Sequence, residues 1–332
     1  MKIAFFSAKP YDRAFFDFHN KNYGFEIEYF ETHLGPHIVN VIDKAEAVCV
    51  FVNDSLKAGT IEILASKNTK IIALRCAGFN NVDLESARKF GIKVCRVPAY
   101  SPEAVAEHAV AMVLTLNRKT HKAYNRVREQ NFSLNGLLGF NLFGKTVGVI
   151  GTGKIGTAFC KIMLGFGARL IASDIVENED LKSKGVAYHP LGKVLELSDI
   201  ISLHCPLTEQ SHHLINRKTL LKMKPGVMLI NTSRGALVNT PDIILALKKG
   251  QVGYLGIDVY EQEEKLFFRD LSEKIIEDDE IQRLMSFPNV LITAHQAFFT
   301  HEAMTQIAEI TLKNIAELSA GRIPGDKMVM LT

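Results

Sequence analysis

Three residues in the second half of the chain have the types and positions to do chemistry together. They are Arg234 in "LINTSRG", Glu263 in "GIDVYEQE" and His295 in "VLITAH". Each follows an apolar run that reads as a strand, and open α/β sheets gather ligands at the carboxyl ends of their strands. Singly, each has an ordinary explanation: a surface arginine, one of the acidic pair Glu263–Glu264, a packed histidine. Jointly they supply what reduction of a 2-oxo acid needs. A guanidinium grips a carboxylate and a ketone oxygen. A protonated imidazole gives the ketone its proton as hydride arrives. A carboxylate behind the imidazole orients it and favours its charged form.

Hydride needs a carrier, and "GVIGTGKIG" (148–156) has the pattern of a turn that binds one. Gly151, Gly153 and Gly156 follow the apolar run "KTVGVI" and precede the helical pattern "IGTAFCKIMLGFG". In such a turn the first glycine permits the bend, the second lets backbone approach a pyrophosphate, and the third lets helix pack on strand. The helix N-terminus then faces the phosphates with unpaired N–H groups and the positive end of its dipole. The next apolar run ends in Asp174, where a carboxylate accepts hydrogen bonds from ribose hydroxyls and repels a 2′-phosphate. The expected cofactor is NAD rather than NADP.

Positioning these groups requires a sheet. Short apolar runs bounded by polar or glycine-containing turns recur at 2–8, 25–31, 46–52, 70–78 and 92–97, and again at 145–151, 168–174, 199–205, 226–233, 254–260 and 289–295. Segments of helical periodicity separate many of them, an alternation that implies parallel sheets covered on both faces. The segment 101–130 breaks the rhythm. It reads as one long bridging helix, with Ser101 as cap, Pro102 in the first turn and Glu103 favoured by the dipole. The tail 300–321 reads as an amphipathic helix with a capping-box-like Thr300 and a closing Gly321.

The expected fold is α/β with two doubly wound parallel-sheet domains. A Rossmann-type nucleotide domain (101–297) is inserted into a flavodoxin-like substrate domain formed by 1–100 plus 298–332. Two crossings between domains make a hinge, and the cleft between them is the default place for chemistry.

Composition narrows the class. The chain has 332 residues, 47% hydrophobic and 23% charged, with a net charge of +3, which is ordinary for a globular protein of two domains. Charges of both signs are interspersed, so neither a nucleic-acid nor a membrane partner is expected. No apolar run reaches the roughly 18 residues of a membrane span, and "MKIAFFSAKPYD" turns polar too early for a secretory signal. Cysteines at 49, 76, 95, 160 and 205 are odd in number and lack C-x-x-C spacing, so free thiols in a reducing cytoplasm are expected. His212–His213 lies in a polar turn with no ligand-like neighbour in sequence, so no metal is expected.

The motifs taken together resemble the D-2-hydroxyacid dehydrogenase family over the whole chain, in its D-lactate branch. The resemblance rests on "GTGKIG…SD", "SLHCPLTEQSHHLI", "LINTSRGALVN", "GIDVYEQE" and "ITAHQAFFTHEA", in family order. It implies Arg234 as substrate binder, Glu263 as partner of the acid/base and His295 as proton donor. It also implies cofactor contacts at Lys154, Ile155, Cys205, Pro206, Ser211, Thr232, Ser233, Arg234 and Asp258. Ala77 and Gly78 in "RCAGFNNVD" follow a strand, and their N–H groups suit a nest for the substrate carboxylate. Tyr100 and Phe298 match positions bounding the substrate. His108, in "AEHAVAM", reads as packing in the bridging helix rather than as a catalyst.

Where many family members have "HxGG", this chain has "HQAFF", the aromatic variant of D-lactate-type members. The implied reaction is reversible hydride transfer between NADH and pyruvate, giving D-lactate, in a cytoplasmic homodimer or homotetramer. A longer or branched 2-oxo acid, or an NADH-sensing corepressor on the same fold, remain as alternatives.

Overall fold

The structure, a computed structural model, describes residues 1–325 and 329–332. Among the described residues the chain divides into two compact units, Met1–Ser101 with Phe299–Thr332, and Pro102–Phe298.

The first unit is built on β1 (Lys2–Phe5), β2 (Glu26–Tyr29), β3 (Ala47–Val50), β4 (Ile71–Leu74) and β5 (Lys93–Arg96). They lie in the order β2-β1-β3-β4-β5, all parallel. This is the flavodoxin-like order, with its switch point between β1 and β3. The central strands "AVCV" and "IIAL" are buried at every residue, as sheets covered on both faces require, whereas the edge strand "EIEY" alternates exposed and half-buried. The free edge of β5 is covered by the chain terminus: Arg96 N–H donates to Val329 O, and Leu331 N–H to Val94 O.

The second unit holds β6 (Thr146–Ile150), β7 (Arg169–Ser173), β8 (Ala187–Tyr188), β9 (Ile200–Leu203), β10 (Val227–Asn231), β11 (Val252–Ile257) and β12 (Val290–Ile292). Their order, β12-β11-β10-β9-β6-β7-β8, is the Rossmann order extended by one strand, and every pair is parallel. The period-two alternation of β10 shows how the layers form. Val227 and Leu229 enter one apolar core with Leu203 and Ile257, while Met228 and Ile230 enter another with Val147 and Phe159. The expected α/β class of two doubly wound sheets is the observed one.

Local expectations need four corrections. The bridging helix is two helices, Pro102–Arg118 and Thr120–Arg128, broken at Lys119, whose φ of +51° is left-handed. The second piece buries none of its residues, so no packing compels it to continue the first. Ser101 sits at φ +30° rather than in the extended backbone of an N-cap. Thr300 does cap the helix His301–Ser319 by accepting from Ala303 N–H, but with alanine at the third position no reciprocal capping box forms. Strand β8, only two residues long, was not expected.

Candidate active site

The switch point of the second sheet lies between β6 and β9, and the glycine turn leaves β6 there. Gly151 has φ +92°, and a Cβ on it would come within 2.6 Å of the His204 carbonyl. A Cβ on Gly156 would lie 2.0 Å from Gly151 O. Both glycines are therefore required by the turn itself. Gly153 is different: its missing side chain would meet nothing within 4 Å. It caps the helix Lys154–Gly165, leaving an open cradle at a helix N-terminus where a pyrophosphate fits. Lys154 is exposed in the first turn, and Ile155 packs against the core beneath.

Asp174 follows β7 as expected. Its Oδ2 accepts from the Thr152 hydroxyl at 3.0 Å and Thr152 N–H at 2.5 Å, and its Oδ1 from Ile175 N–H at 2.6 Å. Partial burial pushes its carboxyl up, but these donors outweigh burial and hold it below the usual range. It is an anion at neutral pH, held at the rim of the cradle.

Across the switch point, Cys205 and Pro206 follow β9. Burial pushes the Cys205 thiol up to about 11. Ser211 turns its hydroxyl inward, donating to Pro206 O at 2.7 Å, and so closes the turn that carries it. After β10, Thr232 Oγ1 is buried without a hydrogen-bond partner among the described residues, and Ser233 Oγ donates to Leu203 O at 2.8 Å. Sequence reasoning missed His204. Its ring packs against Phe159 with Nδ1 buried, and that burial drives its pKa down to about 3, so it is a neutral ring; Ser202 Oγ lies 2.8 Å from Nε2.

The expected triad is brought to one sheet edge. His295 Nδ1 lies 2.7 Å from Glu263 Oε1, and both side chains are about one-fifth exposed, at 20% and 18%. Glu263 Oε2 accepts from Tyr260 N–H at 2.9 Å, so both carboxylate oxygens are in use. An ionised carboxylate only accepts, so Nδ1 carries the hydrogen and Nε2 is the ring atom left to carry a transferable proton. Arg234 follows β10; its Nη1 donates to Ser233 O at 2.7 Å, and among the described residues it has no ion-pair partner. A guanidinium with unspent donors at the same row of strand ends as the imidazole suits an anion.

His295 has φ +53°, a left-handed backbone that costs a non-glycine residue on the order of 1 kcal/mol or more. Asp258, fully buried, holds it there. Its carbonyl accepts His295 N–H at 2.8 Å, Oδ1 accepts Gln296 N–H at 2.9 Å and the Thr293 hydroxyl at 2.5 Å, and Oδ2 accepts Ala297 N–H at 2.8 Å. Burial pushes the Asp258 carboxyl up, yet His108, Thr293 and the two N–H groups outweigh it and hold it below the usual range. His108 is more than helix packing: its Nε2 lies 3.1 Å from Thr293 Oγ1 and 3.5 Å from Asp258 Oδ1. No sequence signal pointed to this clamp, because its parts come from three separate segments.

In the first unit, Ala77 and Gly78 follow β4. Among the described residues neither backbone N–H meets a protein acceptor, while Ala77 O accepts from Arg96 and Gly78 O from Cys76. Tyr100 is half-buried at the end of this unit's first segment. Phe298 is buried in the second unit, and Phe299, in the first, meets Tyr11 edge-on at 4.7 Å.

The His212–His213 turn has a neighbour that sequence adjacency hid. His213 Nε2 lies 2.8 Å from Glu261 Oε1. The expectation that no ligand-like group stands near is thus corrected: a chain separation of 48 residues is closed by the loops after β9 and β11.

Comparison with known proteins finds relatives over the whole chain. A family model described as "D-isomer specific 2-hydroxyacid dehydrogenase, NAD binding domain" matches residues 110–297. The D-lactate dehydrogenase of Escherichia coli is 50% identical over 99% of this chain and 100% of its own. The apo-structure of D-lactate dehydrogenase from Escherichia coli superposes with a TM-score of 0.92 at 48% identity, covering 100% of both chains. D-lactate dehydrogenase from Aquifex aeolicus, solved with NAD and lactic acid, gives a TM-score of 0.86 at 36% identity, covering 99% of this chain and 98% of that one.

Proposed function

We propose that this chain, which belongs to the D-isomer-specific 2-hydroxyacid dehydrogenase family and carries its NAD-binding domain, reduces pyruvate to D-lactate and catalyses the reverse oxidation. The observation that carries the reading is the 2.7 Å Glu263–His295 pair, with Arg234 at the end of β10 lacking an ion-pair partner among the described residues. The reduced nicotinamide, when bound, supplies the hydride. Gly151, Gly153 and Gly156 with Lys154 and Ile155 hold the pyrophosphate, and Asp174 takes the ribose hydroxyls and turns away a 2′-phosphate. Cys205, Pro206, Ser211, Thr232, Ser233 and Asp258 belong to the same reading as cofactor contacts.

Arg234 draws the substrate carboxylate and the ketone oxygen into its fork. His295 Nε2 gives the ketone oxygen a proton as carbon accepts hydride, and takes it back during oxidation. Glu263 keeps the imidazole in the productive tautomer and stabilises its positive charge. In the first unit, the free N–H groups of Ala77 and Gly78 make a nest that suits a carboxylate, and Tyr100 is read as a substrate-bounding residue.

Phe298, packed three residues beyond His295, and the names of the relatives support a methyl-sized substrate. Loss of NADH absorbance on adding pyruvate, against 2-oxoisocaproate at equal concentration, tests it. Pyruvate should give the larger kcat/KM by about 5–150-fold, the cost of overpacking a filled pocket by roughly 1–3 kcal/mol. Faster turnover of 2-oxoisocaproate would replace the substrate, and NADH binding without turnover of either would favour a sensor.

Among the described residues no helix is long and apolar enough to cross a membrane. A cytoplasmic setting and a homo-oligomer belong to the proposal. Tyr124, Phe132, Leu134, Leu138 and Phe143 are all more than 60% exposed, an apolar surface that suits a second copy of the chain. Light scattering on the eluting protein should give a dimer or tetramer mass.

A further inference from the structure

We infer that His212, His213 and Glu261 form a binding site for a borderline divalent cation of the zinc class. Each residue offers a ligand atom, and the three atoms lie within 4.8 Å of one another. Two nitrogens and one carboxylate oxygen are the donor set that zinc, cobalt and nickel take, and that magnesium and calcium, which prefer all-oxygen cages, do not. Three protein ligands leave a fourth position to water.

The distances bear on this directly. Ligand atoms each about 2.0–2.1 Å from a tetrahedral zinc lie roughly 3.4 Å from one another. Glu261 Oε1 lies 2.8 Å from His213 Nε2 and 3.9 Å from His212 Nε2, so the observed separations bracket that value. The first is an ordinary hydrogen bond. The second is too long for one, and yet aims a second imidazole at the same oxygen.

The backbone supplies an independent observation. Side chains of consecutive residues ordinarily diverge, but His213 has φ +50°, and the two rings lie 3.8 Å apart between centroids. The left-handed turn is what brings both imidazoles to one side. It is held by His213 N–H donating to Ala236 O and Asn216 Nδ2 donating to His213 O, both at 2.8 Å. His213 and Glu261 are each 28% exposed at the side chain and His212 51%, so the site is open to a cation from solvent.

Two hydrogen bonds oppose the site, one from His213 Nε2–H to Glu261 and one at Nδ1. Asn239 Nδ2 lies 3.2 Å from His213 Nδ1, and Asn239 Oδ1 is fixed by Asp242 N–H, so Nδ1 accepts and the hydrogen sits on Nε2. A metal on Nε2 moves that hydrogen to Nδ1, which breaks the Asn239 contact and replaces the Nε2–H···Glu261 hydrogen bond. Two hydrogen bonds are exchanged for coordinate bonds, with the carboxylate retained as a ligand. Bound metal then fastens the turn after β9 to the loop after β11, two residues before Glu263.

The experiment titrates zinc chloride into chelator-treated protein in a calorimeter and follows the melting temperature in parallel. Wild type should bind one zinc per chain at this site and melt higher with zinc. His212→Ala and Glu261→Gln should each weaken binding by more than the roughly tenfold typical of losing an outer-shell partner, and both should lose the zinc-dependent rise in melting temperature. Cys205→Ser, which removes the partly exposed thiol, should bind zinc as wild type does. His212 is half-exposed, and the zinc-free melting temperature of His212→Ala reports whether the fold is kept. The site is overturned if wild type takes up no zinc, or if either the histidine or the glutamate variant binds it as tightly as wild type.

Discussion

The two sheets share a plan, and the carboxyl ends of their strands show opposite uses of it. In the first unit the charged groups there are spent on one another. Ser7 Oγ donates to Asp54, Asp54 also accepts from Leu34 and Phe51 N–H, and Arg75 lies 3.4 Å from Asp12 with its guanidinium over the rings of Phe5 and Phe51. Arg75, Asp12 and Asp54 are 2%, 4% and 1% exposed. Burial pushes both carboxyls up against the pull of Arg75. In the second unit the Glu263 and His295 side chains at the same edge stay about one-fifth exposed, and among the described residues Arg234 has no partner carboxylate. A closed network holds a fold, whereas an open one holds a ligand. Asp258 shows that a buried charge can also serve an open edge, since its carbonyl and both carboxylate oxygens hold the segment carrying His295.

The sharpest way to break this comparison is at Glu263. Two donors, His295 Nδ1–H and Tyr260 N–H, use its two oxygens. Glutamine has one acceptor oxygen, so Glu263→Gln turns an amide N–H₂ towards one of them and withdraws the negative charge behind the imidazole. We expect kcat to fall by about 10³–10⁴, the scale of losing the carboxylate behind a catalytic histidine, with cofactor affinity and melting temperature nearly unchanged. A variant within tenfold of wild type would mean that the pair holds structure only.

Arg75→Met makes the converse test. It leaves Asp12 and Asp54 buried without their guanidinium, and breaking a buried pair costs about 3–5 kcal/mol. The denaturation midpoint should fall accordingly, while kcat per folded molecule stays within about threefold. Among the described residues Arg75 Nη1 and Asn53 Nδ2 have no hydrogen-bond partner, which makes the activity measurement informative. A stable but inactive variant would show that the first edge is open after all.

What the sequence revealed divides along similar lines. Strands, glycine turn and the Glu263–His295 pair were legible because their signals are local: an apolar run, a G-x-G-x-x-G spacing, a polar residue at the end of a strand. The break at Lys119 carried no proline or glycine to mark it. The Asp12–Asp54–Arg75 network and the Glu261–His213 pair were illegible because each joins segments that only the sheet brings together. Asp258 was recognised by its position in a motif, but its hold on His295, and the part of His108 in it, required the fold.

Arg234→Lys probes the open edge at smaller cost. Lysine keeps the charge but offers a point donor in place of a planar fork. The loss should be about a hundredfold in kcat/KM, near 2.7 kcal/mol, shared between kcat and the KM for pyruvate, with NADH affinity kept. Activity within about threefold of wild type would remove Arg234 from the site.

The smallest effect concerns thiols rather than turnover, and it compares the two edges directly. Burial pushes Cys95 up to about 12 and Cys49 further, and both are sealed in the first unit's sheet. Cys205 is held at about 11 but remains partly exposed at the open edge. At pH 8 its thiolate is therefore about one part in a thousand, against roughly a quarter for a free cysteine near 8.5. Iodoacetamide should label native protein slowly at pH 8, and the rate should rise about tenfold per pH unit towards 11, since the thiolate is the nucleophile. The label should fall on Cys205, with Cys49 and Cys95 untouched until the protein unfolds. Saturating NAD should slow it further if Cys205 lines the nicotinamide pocket. Fast labelling at pH 8 would show that burial does not control this thiol. Labelling indifferent to NAD would take Cys205 out of the cofactor site while leaving the Glu263–His295 pair in place.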